Sequence, residues 1–598
     1  MRIGISQINT VPGAFDQTVK RMIAQSQRAA EQQVELLVFP LAALAGAEAL
    51  PFADRPAFMH DVADAVAQLA EGLACPAIVP VPMDLDRPEG AFDALLLTDG
   101  EVRLLRTSRR ISDALSHDER DVPQFEFAGM HFALALTHAD LDALDDYDYD
   151  VDATLFLSGY AFAMDDPSSA MVADYENSRF ADDAQDMHAW LVGVAPVGGY
   201  GDQVYVGSSF VMDPSGELVA VAPAFEEALL VADIGHVDDE IAPERLTPDV
   251  FDAPFHLWQA LVLGIHDAVT KQGYSDVALC LDGSLASLVL AALASDALGP
   301  LHVHVLVGAS AGAVAPACRE FAHRLHVDVT SASGQPQSLD QADLDQLELA
   351  ALARAHAALP LASWDKTALA LGLQHAGVSV AALCPLGDVY RSDVLDMAHV
   401  RNTISPIFRR VALAEADALT LVMPDGTVRV ILSEQEVTRV DEILLGYIEY
   451  DRPLSDMLAD DATSTELIDG VLRAYRSSEL QRRAAPPVLA MSTRTLDEAR
   501  FPLATRWHDE HPDGFEEELD LRERDEGVQP AQDETHREPT GNIDLDATLA
   551  MLRDLAEQGG LVTSNIADLA RGAAAAAANG KQPSPQEMMA WMTPFSEN

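Results

Sequence analysis

Residues 276–298, DVALCLDGSLASLVLAALASDAL, decide the fold of the second half of this chain. The apolar run VALCL is typical of a parallel strand that is covered on both faces. The turn formers DGS follow it, and the apolar residues after them predict a helix. Free N–H groups and the helix dipole favour an anion at a helix N-terminus. The stretch therefore predicts a strand, a turn and a helix that together hold a phosphate.

The same alternation continues from about residue 251 to residue 507. The segment LHVHVLVGAS predicts a second strand, ACREFAHRLHVDVT predicts a helix that leads to a third strand, and ALPLASWDKTALALGL predicts a strand, a loop and a helix. Strands that alternate with helices are typical of a doubly wound parallel sheet. We expect this fold for residues 251–507.

Residues 1–245 also alternate between strands and helices, but they contain a hairpin. RIGISQI and VELLVFP predict strands on either side of a helix near residues 15–33, and DALLLTDGEVRLL predicts two strands that meet at Asp99-Gly100. A hairpin within such an alternation favours an α/β sandwich over a plain doubly wound sheet. The fold class is therefore α/β in both halves.

Composition excludes several partners. The formal net charge of -58 over 598 residues argues against nucleic acid and anionic membranes, since both are polyanions. No apolar run approaches the roughly 20 residues that cross a bilayer. The acidic surface is typical of general solubility or salt adaptation, and the alternative is an interface for a basic partner.

The four cysteines are far apart and show no metal-binding spacing. They predict free thiols in a reducing cytoplasm and no metal site. Beyond Trp507 the chain becomes charged and poor in large apolar residues, which predicts a mostly disordered acidic tail over residues 508–598. Two short apolar segments in this tail, IDLDATLAMLRDLAEQ and PSPQEMMAWMTPF, predict short helices. They are either docking elements or carry no function.

The stretch VALCLDGSLASLVLAALASDALG resembles the pyrophosphate loop of glutamine-dependent NAD(+) synthetases, whose pattern at the turn is Ser-Gly-Gly-x-Asp-Ser. FPLAALAGAEALPFADRPAFMHDV and GMHFALALTHADL resemble stretches of the glutaminase domain of the same enzymes. The resemblance implies a nitrilase-like glutaminase domain over residues 1–245 and an ATP-pyrophosphatase domain, of the adenine nucleotide alpha-hydrolase type, over residues 251–507. The turn positions that correspond to the pattern are Asp282, Gly283, Ser284, Leu285, Ala286 and Ser287.

The resemblance implies that the glutaminase chemistry is lost. A nitrilase-type amidase needs a glutamate base, a lysine and a cysteine nucleophile. The corresponding positions are Leu41, Ser108 (or Arg109 or Arg110 with a small shift) and His138. Leucine cannot accept a proton, and imidazole cannot form a thioester. The alternative is a relocated site made of His138, Asp140 and Glu119.

The synthetase chemistry is predicted to be lost as well. Asp282 places a carboxylate at the phosphate loop, and Ala286 and Ala368 replace two acidic residues of the family. Four basic residues remain at positions that correspond to the family's motifs, with Arg391 in place of a lysine: Lys366, Arg391, Arg482 and Arg483. They either retain some nucleotide binding or form ion pairs within an acidic protein.

These resemblances imply a degenerate paralogue, a pseudoenzyme with a structural or regulatory role linked to NAD biosynthesis. The alternatives are an active divergent synthase, which would make NAD from nicotinic acid adenine dinucleotide, ATP and glutamine, and a nucleotide-binding sensor without turnover. We expect no cofactor, with ATP and Mg²⁺ required only if activity persists. We also expect a cytoplasmic homo-oligomer, with an intact synthetase or another protein bound through the tail.

Overall fold

The computed structural model describes residues within the first of two compact units, which spans Met1–Gly514. The predicted tail, residues 508–598, lies outside the described residues. Among the described helices, none is long and apolar enough to cross a membrane. The described residues are 1–41, 43–46, 52–53, 55–82, 92–107, 124–136, 140–141, 144, 151–157, 161–165, 179–237, 246, 252–332, 340–373, 379–458 and 464–505.

The first half contains the strands and helices of a sandwich. Its strands are β1 (Arg2–Gln7), β2 (Leu36–Val38), β3 (Ala77–Pro82), β4 (Phe92–Thr98), β5 (Glu101–Thr107), β6 (Gln124–Phe127), β7 (Met130–Ala135), β8 (Ala153–Leu157), β9 (Trp190–Val194), β10 (Val197–Tyr200), β11 (Gln203–Val206), β12 (Phe210–Met212), β13 (Leu218–Val221) and β14 (Ala228–Asp233). Its helices are α1 (Phe15–Glu31), α2 (Pro56–Gly72) and α3 (Arg179–Asp186).

Two six-stranded sheets face each other, with strand orders β14-β1-β2-β3-β4-β5 and β13-β12-β9-β8-β7-β6. One core cluster between them joins residues of both sheets, such as Ile5 and Phe132. A second cluster packs α1 and α2 against the outer face of the first sheet, and a third packs α3 against the outer face of the second. The predicted α/β sandwich is confirmed, with helices outside and sheets inside.

The side-chain alternation of the strands produces these layers. In β2, Leu36 and Val38 belong to the core between the sheets, whereas Leu37 belongs to the core under the helices. Successive residues of a strand point to opposite faces, so an uninterrupted apolar run is needed where both faces are covered. The hairpin predicted at Asp99 and Gly100 is also present, with positive φ values of 48° and 84°.

The second half contains four strands of one parallel sheet, a separate hairpin and ten α-helices among the described residues. The strands are β15 (Val277–Leu281), β16 (Val303–Val307), β17 (Asp328–Ser331), β18 (Leu359–Pro360), β19 (Leu419–Val422) and β20 (Val428–Ile431). The helices are α4 (Ala253–Thr270), α5 (Leu285–Leu298), α6 (Ala315–Leu325), α7 (Gln341–His356), α8 (Lys366–Leu371), α9 (Arg391–Ile404), α10 (Glu434–Ile448), α11 (Leu454–Leu458), α12 (Thr465–Ser477) and α13 (Glu479–Arg482).

The parallel sheet has the order β17-β16-β15-β18. The largest core cluster packs α4, α5 and α6 on one face of this sheet, and a smaller cluster packs α7 on the other. Helices on both faces explain why β15 and β16 are apolar nearly throughout. A further cluster holds α10 and α12 against the β19–β20 hairpin. The doubly wound parallel sheet predicted from the alternation of strands and helices in the second half is confirmed.

The two halves share a buried polar junction. Lys271, just after α4, donates to Asn9 Oδ1 and to the carbonyl of Gly199, both at 2.7 Å. The carboxylate of Asp267 accepts the N–H of Gly199 and the side-chain amide of Asn9, also at 2.7 Å. Burial opposes the charge of Asp267, but His266, Lys271, Asn9 and Gly199 lower its pKa below the usual value. This junction fixes α4 to the sandwich.

Candidate functional site

The turn between β15 and α5 is built as the sequence predicts. Gly283 has a φ of +96°, a conformation that an L side chain rarely adopts. Ser284 is the N-cap of α5, and its Oγ accepts the N–H of Ser287 at 3.2 Å. Asp282 Oδ1 in turn accepts the N–H of Ser284 at 2.9 Å and its hydroxyl at 2.7 Å. The side chain of Asp282 thus accepts bonds from its own loop.

A second carboxylate contacts the same helix N-terminus. Asp417, the last residue of the 3₁₀ helix Glu415–Asp417, accepts the N–H of Leu285 at 2.9 Å and 3.1 Å through its two oxygens. Its side chain also accepts the N–H of Ala414 at 2.7 Å. Burial raises the pKa of Asp417 to about 6, although these N–H groups and Arg391 favour its charged form. The chain therefore places its own anion where a helix N-terminus would receive a phosphate.

Backbone N–H groups of the loop after β16 also donate to a carboxylate of the chain. Asp345, on α7, accepts the N–H groups of Ala309 and of Ser310, the latter at 3.0 Å. A cavity of about 410 Å³ lies beside these loops, and its lining includes Asp282, Asp345, Asp365, Ala368 and Arg391. Within the described residues, no three carboxylates of this lining bring ligand atoms within 4.8 Å of one another.

Lys366 is fully buried and points away from solvent. Its Nζ lies 2.7 Å from Asp388 Oδ1, pairs with the carboxylate of Glu449, and donates to Ser492 Oγ at 2.8 Å. Burial disfavours the ammonium, but the two carboxylates outweigh it and raise the pKa of Lys366. Burial also raises the pKa of Glu449 to about 6. Lys366 is neutralised within the fold.

Arg391 forms a bidentate pair with Asp365. Its Nε donates to Asp365 Oδ2 at 2.8 Å and its Nη2 donates to Asp365 Oδ1 at 3.2 Å. Asp365 also caps α8 by accepting the N–H of Ala368 at 2.7 Å. Arg391 additionally donates to the backbone carbonyl of Asp417, so one arginine links the caps of α8 and α5.

Arg482 and Arg483 lie elsewhere. Both pair with Glu479, at 2.7 Å each, and both line a separate cavity of about 220 Å³. The guanidinium of Arg482 also lies 4.1 Å from the centroid of the Tyr475 ring. The structure thus groups Asp282, Ser284, Ala286 and Arg391 around one cavity, and does not bring Arg482 or Arg483 to it. In the described contacts, ion pairs are formed by all four basic residues: Lys366, Arg391, Arg482 and Arg483.

The candidate residues of the first half are only partly described. Leu41 is half-buried and packs against the core between the two sheets. Ser108, Arg109, Arg110, Glu119 and His138 lie outside the described residues. Asp140 Oδ2 accepts the N–H of Leu136 at 2.9 Å.

The sequence analysis missed Asp417 and Asp345. Asp417 lies more than 130 residues beyond the turn that it contacts, and Asp345 lies on a helix face after a different strand. Nothing in the local pattern of either segment marks an acceptor for a distant loop. Asp417 lies in the mostly apolar stretch VALAEADALTLV, which is a weak signal, whereas Asp345 lies in the polar stretch QADLDQLE and has no such signal.

Comparison with known proteins extends these observations. Residues 171–238 match the carbon-nitrogen hydrolase family. The glutamine-dependent NAD(+) synthetase of Acinetobacter baylyi is 24% identical over 550 residues, which cover 85% of this chain and 98% of that protein. The enzyme of the same name from Rhodobacter capsulatus is 25% identical over 559 residues, covering 85% of this chain and 99% of the relative. This chain is a homologue of glutamine-dependent NAD(+) synthetases.

Solved structures agree with this homology at the level of the fold. A glutamine-dependent NAD+ synthetase from Acinetobacter baumannii in complex with ADP superimposes with a TM-score of 0.58 at 22% identity, covering 85% of this chain and 99% of that one. The corresponding protein from Cytophaga hutchinsonii gives a TM-score of 0.63 at 12% identity, with 87% and 99% covered. This chain therefore shares the fold of these proteins over most of its length.

Proposed function

We propose that this homologue is a pseudoenzyme that acts as a structural or regulatory subunit in NAD biosynthesis. The observation that carries the proposal is the carboxylate of Asp417 on the N–H of Leu285, at the mouth of the phosphate loop. Two like unit charges about 4 Å apart repel by about 4 kcal/mol at an effective dielectric constant of about 20. A phosphate at this turn would meet that repulsion from Asp417 and from Asp282. Such a penalty weakens binding by several hundredfold.

The remaining basic groups do not offset this repulsion. The positive charge of Arg391 is already paired with Asp365, and that of Lys366 is already paired with Asp388 and Glu449. Adenylation by ATP depends on positive charge, from side chains or metal ions, around the leaving pyrophosphate. In this chain the charge near the turn is predominantly negative.

The direct test is an activity assay on the full-length protein. Purified protein is incubated with nicotinic acid adenine dinucleotide, ATP, Mg²⁺ and either ammonia or glutamine, and NAD is quantified against a blank without protein. We expect no NAD and no release of glutamate from glutamine. NAD above the blank with ammonia contradicts the proposal for the second half. Glutamate release that disappears in His138→Ala contradicts it for the first half.

An active divergent synthase is the second candidate. It is favoured by the cavity of about 410 Å³ beside the phosphate loop and by the coverage of 98% of the Acinetobacter baylyi relative. A sensor that binds nucleotide without turnover is favoured by the same cavity. The activity assay distinguishes an active synthase from the pseudoenzyme. ATP calorimetry distinguishes a nucleotide sensor from it.

We further propose that the protein assembles, either with itself or with an intact synthetase. The described residues of both halves form large buried apolar cores while the predicted catalytic positions are changed, which is expected of a chain that folds without the family's chemistry. Light scattering on the full-length protein and on a chain ending at Trp507 tests this proposal. A monomeric mass for both refutes a homo-oligomer, and a mass that falls only on truncation assigns the interface to the tail.

The four cysteines are free, which suits the proposed reducing cytoplasm.

A further inference from the structure

A cluster of histidines and aspartates lies at the amino-terminal edge of the parallel sheet, away from the phosphate loop. His304 is the second residue of β16, Asp328 is the first residue of β17, and the two are partners in the parallel register. His356 is the last residue of α7. The start of two adjacent strands and the end of one helix thus meet at one place.

The ligand atoms of these three side chains converge. One atom each from His304, Asp328 and His356 lie within 4.8 Å of one another. The His304 Nδ1 to Asp328 Oδ2 distance is 3.4 Å, which is long for a hydrogen bond. Two ligands bound to one Zn²⁺ at about 2.0–2.2 Å in tetrahedral geometry are separated by about 3.4 Å. The imidazole rings of His304 and His356 stack with centroids 3.7 Å apart.

The hydrogen bonding of His304 leaves a place for a cation. His304 Nε2 lies 3.1 Å from Asp276 Oδ1, and since a carboxylate only accepts, this nitrogen carries a proton. In neutral His304 the Nδ1 lone pair then faces Asp328 Oδ2, so two acceptors face each other. A metal ion between them resolves this conflict, and a second proton on His304 is the alternative.

Asp276 has the role that metal sites give to an outer carboxylate. Metal-binding histidines commonly donate their other ring N–H to a carboxylate, which fixes the tautomer and orients the ring. His302 Nδ1 also lies 3.5 Å from Asp276 Oδ1, so two histidines position the same carboxylate.

The burial of the cluster suits a site with access to solvent. His304 is buried, whereas Asp328 and His356 are exposed. Two imidazoles and one carboxylate favour Zn²⁺ or a similar transition metal over Mg²⁺ or Ca²⁺, which prefer oxygen ligands. We propose that His304, Asp328 and His356 bind one Zn²⁺, with Asp276 as the outer partner of His304. The ion would join β16, β17 and α7.

Zinc calorimetry on full-length protein tests this site. The protein is stripped with a chelator, and ZnCl₂ is added in the presence of excess Mg²⁺, which occupies the acidic surface without competing for imidazole. We expect one tight site per chain and a melting temperature that rises with Zn²⁺. His356→Ala and Asp328→Asn, both at exposed positions, should weaken binding at least tenfold, and Asp276→Asn should weaken it by about 10- to 100-fold.

His60→Ala is the matched control. His60 Nδ1 lies 3.4 Å from Asp64 Oδ2 on α2, the same separation as in the cluster, and both side chains are exposed. This variant should bind Zn²⁺ as the wild type does. No zinc binding by the wild type above its Mg²⁺ background overturns the proposal and favours a protonated His304. Equal affinity in the wild type, His356→Ala and Asp328→Asn overturns it as well.

Discussion

The two edges of the four-stranded parallel sheet differ in their polar groups, with backbone donors at one edge and carboxylate acceptors at the other. At the carboxyl-terminal edge, backbone N–H groups of two loops are donors, and the chain supplies the acceptors from Asp282, Asp345 and Asp417. At the amino-terminal edge, carboxylates surround His304, and acceptors exceed the donors of a neutral imidazole. Open sheets of this class bind ligands outside the carboxyl ends of their strands. Here the N–H groups at that edge donate to carboxylates of the chain itself. The proposed cation lies at the opposite edge.

The largest effect is expected from breaking the internal charge pairing beside the carboxyl-terminal edge. Lys366→Met leaves the buried carboxylates of Asp388 and Glu449 without their partner. Removing one partner of a buried ion pair costs about 3–5 kcal/mol of unfolding free energy. Denaturant unfolding measures this cost, with Lys20→Met, at an exposed position of α1, as the control. A loss below about 1 kcal/mol shows that these pairs do not hold the fold.

The next effect is a pH dependence of stability. Burial raises the pKa of Asp417, Asp441 and Glu449 to about 6 and that of Asp393 to about 7. Between the unfolded pKa near 4 and these values the folded chain binds more protons, so stability is greatest at the acidic end of this window and falls as pH rises. We expect the unfolding free energy to increase from about pH 7.5 to about pH 5, by on the order of 1 kcal/mol for each of these groups.

Asp441→Asn checks the origin of this slope. The carboxylate of Asp441 accepts from Thr367 Oγ1 at 2.6 Å and from the N–H of Ser392 at 2.8 Å, and an amide of the same shape does not titrate. Thermal melts across the pH range should therefore be flatter for the variant. If the melting temperature of the wild type decreases from about pH 7.5 to about pH 5, other titrating groups dominate the pH dependence.

A smaller effect, but a more specific one, is expected at the helix N-terminus itself. Asp417→Ala removes the acceptor of the Leu285 N–H and should cost about 2 kcal/mol. Inorganic phosphate should restore part of this loss in the variant and should not stabilise the wild type. Asp425→Ala is the control, because Asp425 also accepts a backbone N–H, from Thr427 at 2.9 Å, but in an exposed turn. If phosphate stabilises the wild type, Asp417→Ala and Asp425→Ala equally, the carboxylate of Asp417 does not take the place of a phosphate.

The smallest effect is expected at the amino-terminal edge. His302 is half-exposed and contacts Asp276 at 3.5 Å without reaching the proposed metal. His302→Ala should change the unfolding free energy by less than about 0.5 kcal/mol, since exposed pairs contribute little. Chemical denaturation measures it. A loss comparable to that of Asp417→Ala assigns the cluster a structural role without metal.

The fold was predictable because its signals are local. The apolar run of β15, the turn formers after it and the apolar helix behind them stand in one stretch, and Asp99-Gly100 marks its hairpin without reference to any other segment. Periodicity and turn chemistry depend on neighbours in the chain, which a sequence displays directly.

The contacts that characterise the two edges were not predictable. Asp417 reaches Leu285 across 132 residues, and the three proposed zinc ligands are distributed over residues 304–356 without a recognised spacing. The absence of a metal site was predicted from cysteine spacing, a criterion that does not sample histidines brought together by strand register. Such contacts follow from tertiary packing. Local pattern carries no information about them.

Calorimetry with ATP and Mg²⁺ on the full-length protein tests the central claim most directly. If the carboxylates of Asp417 and Asp282 occupy the phosphate loop, the wild type shows no saturable heat up to millimolar ATP, whereas Asp417→Ala gains affinity. Micromolar ATP affinity in the wild type would contradict the account, because it would require the helix N-terminus of α5 to accept phosphate beside both carboxylates.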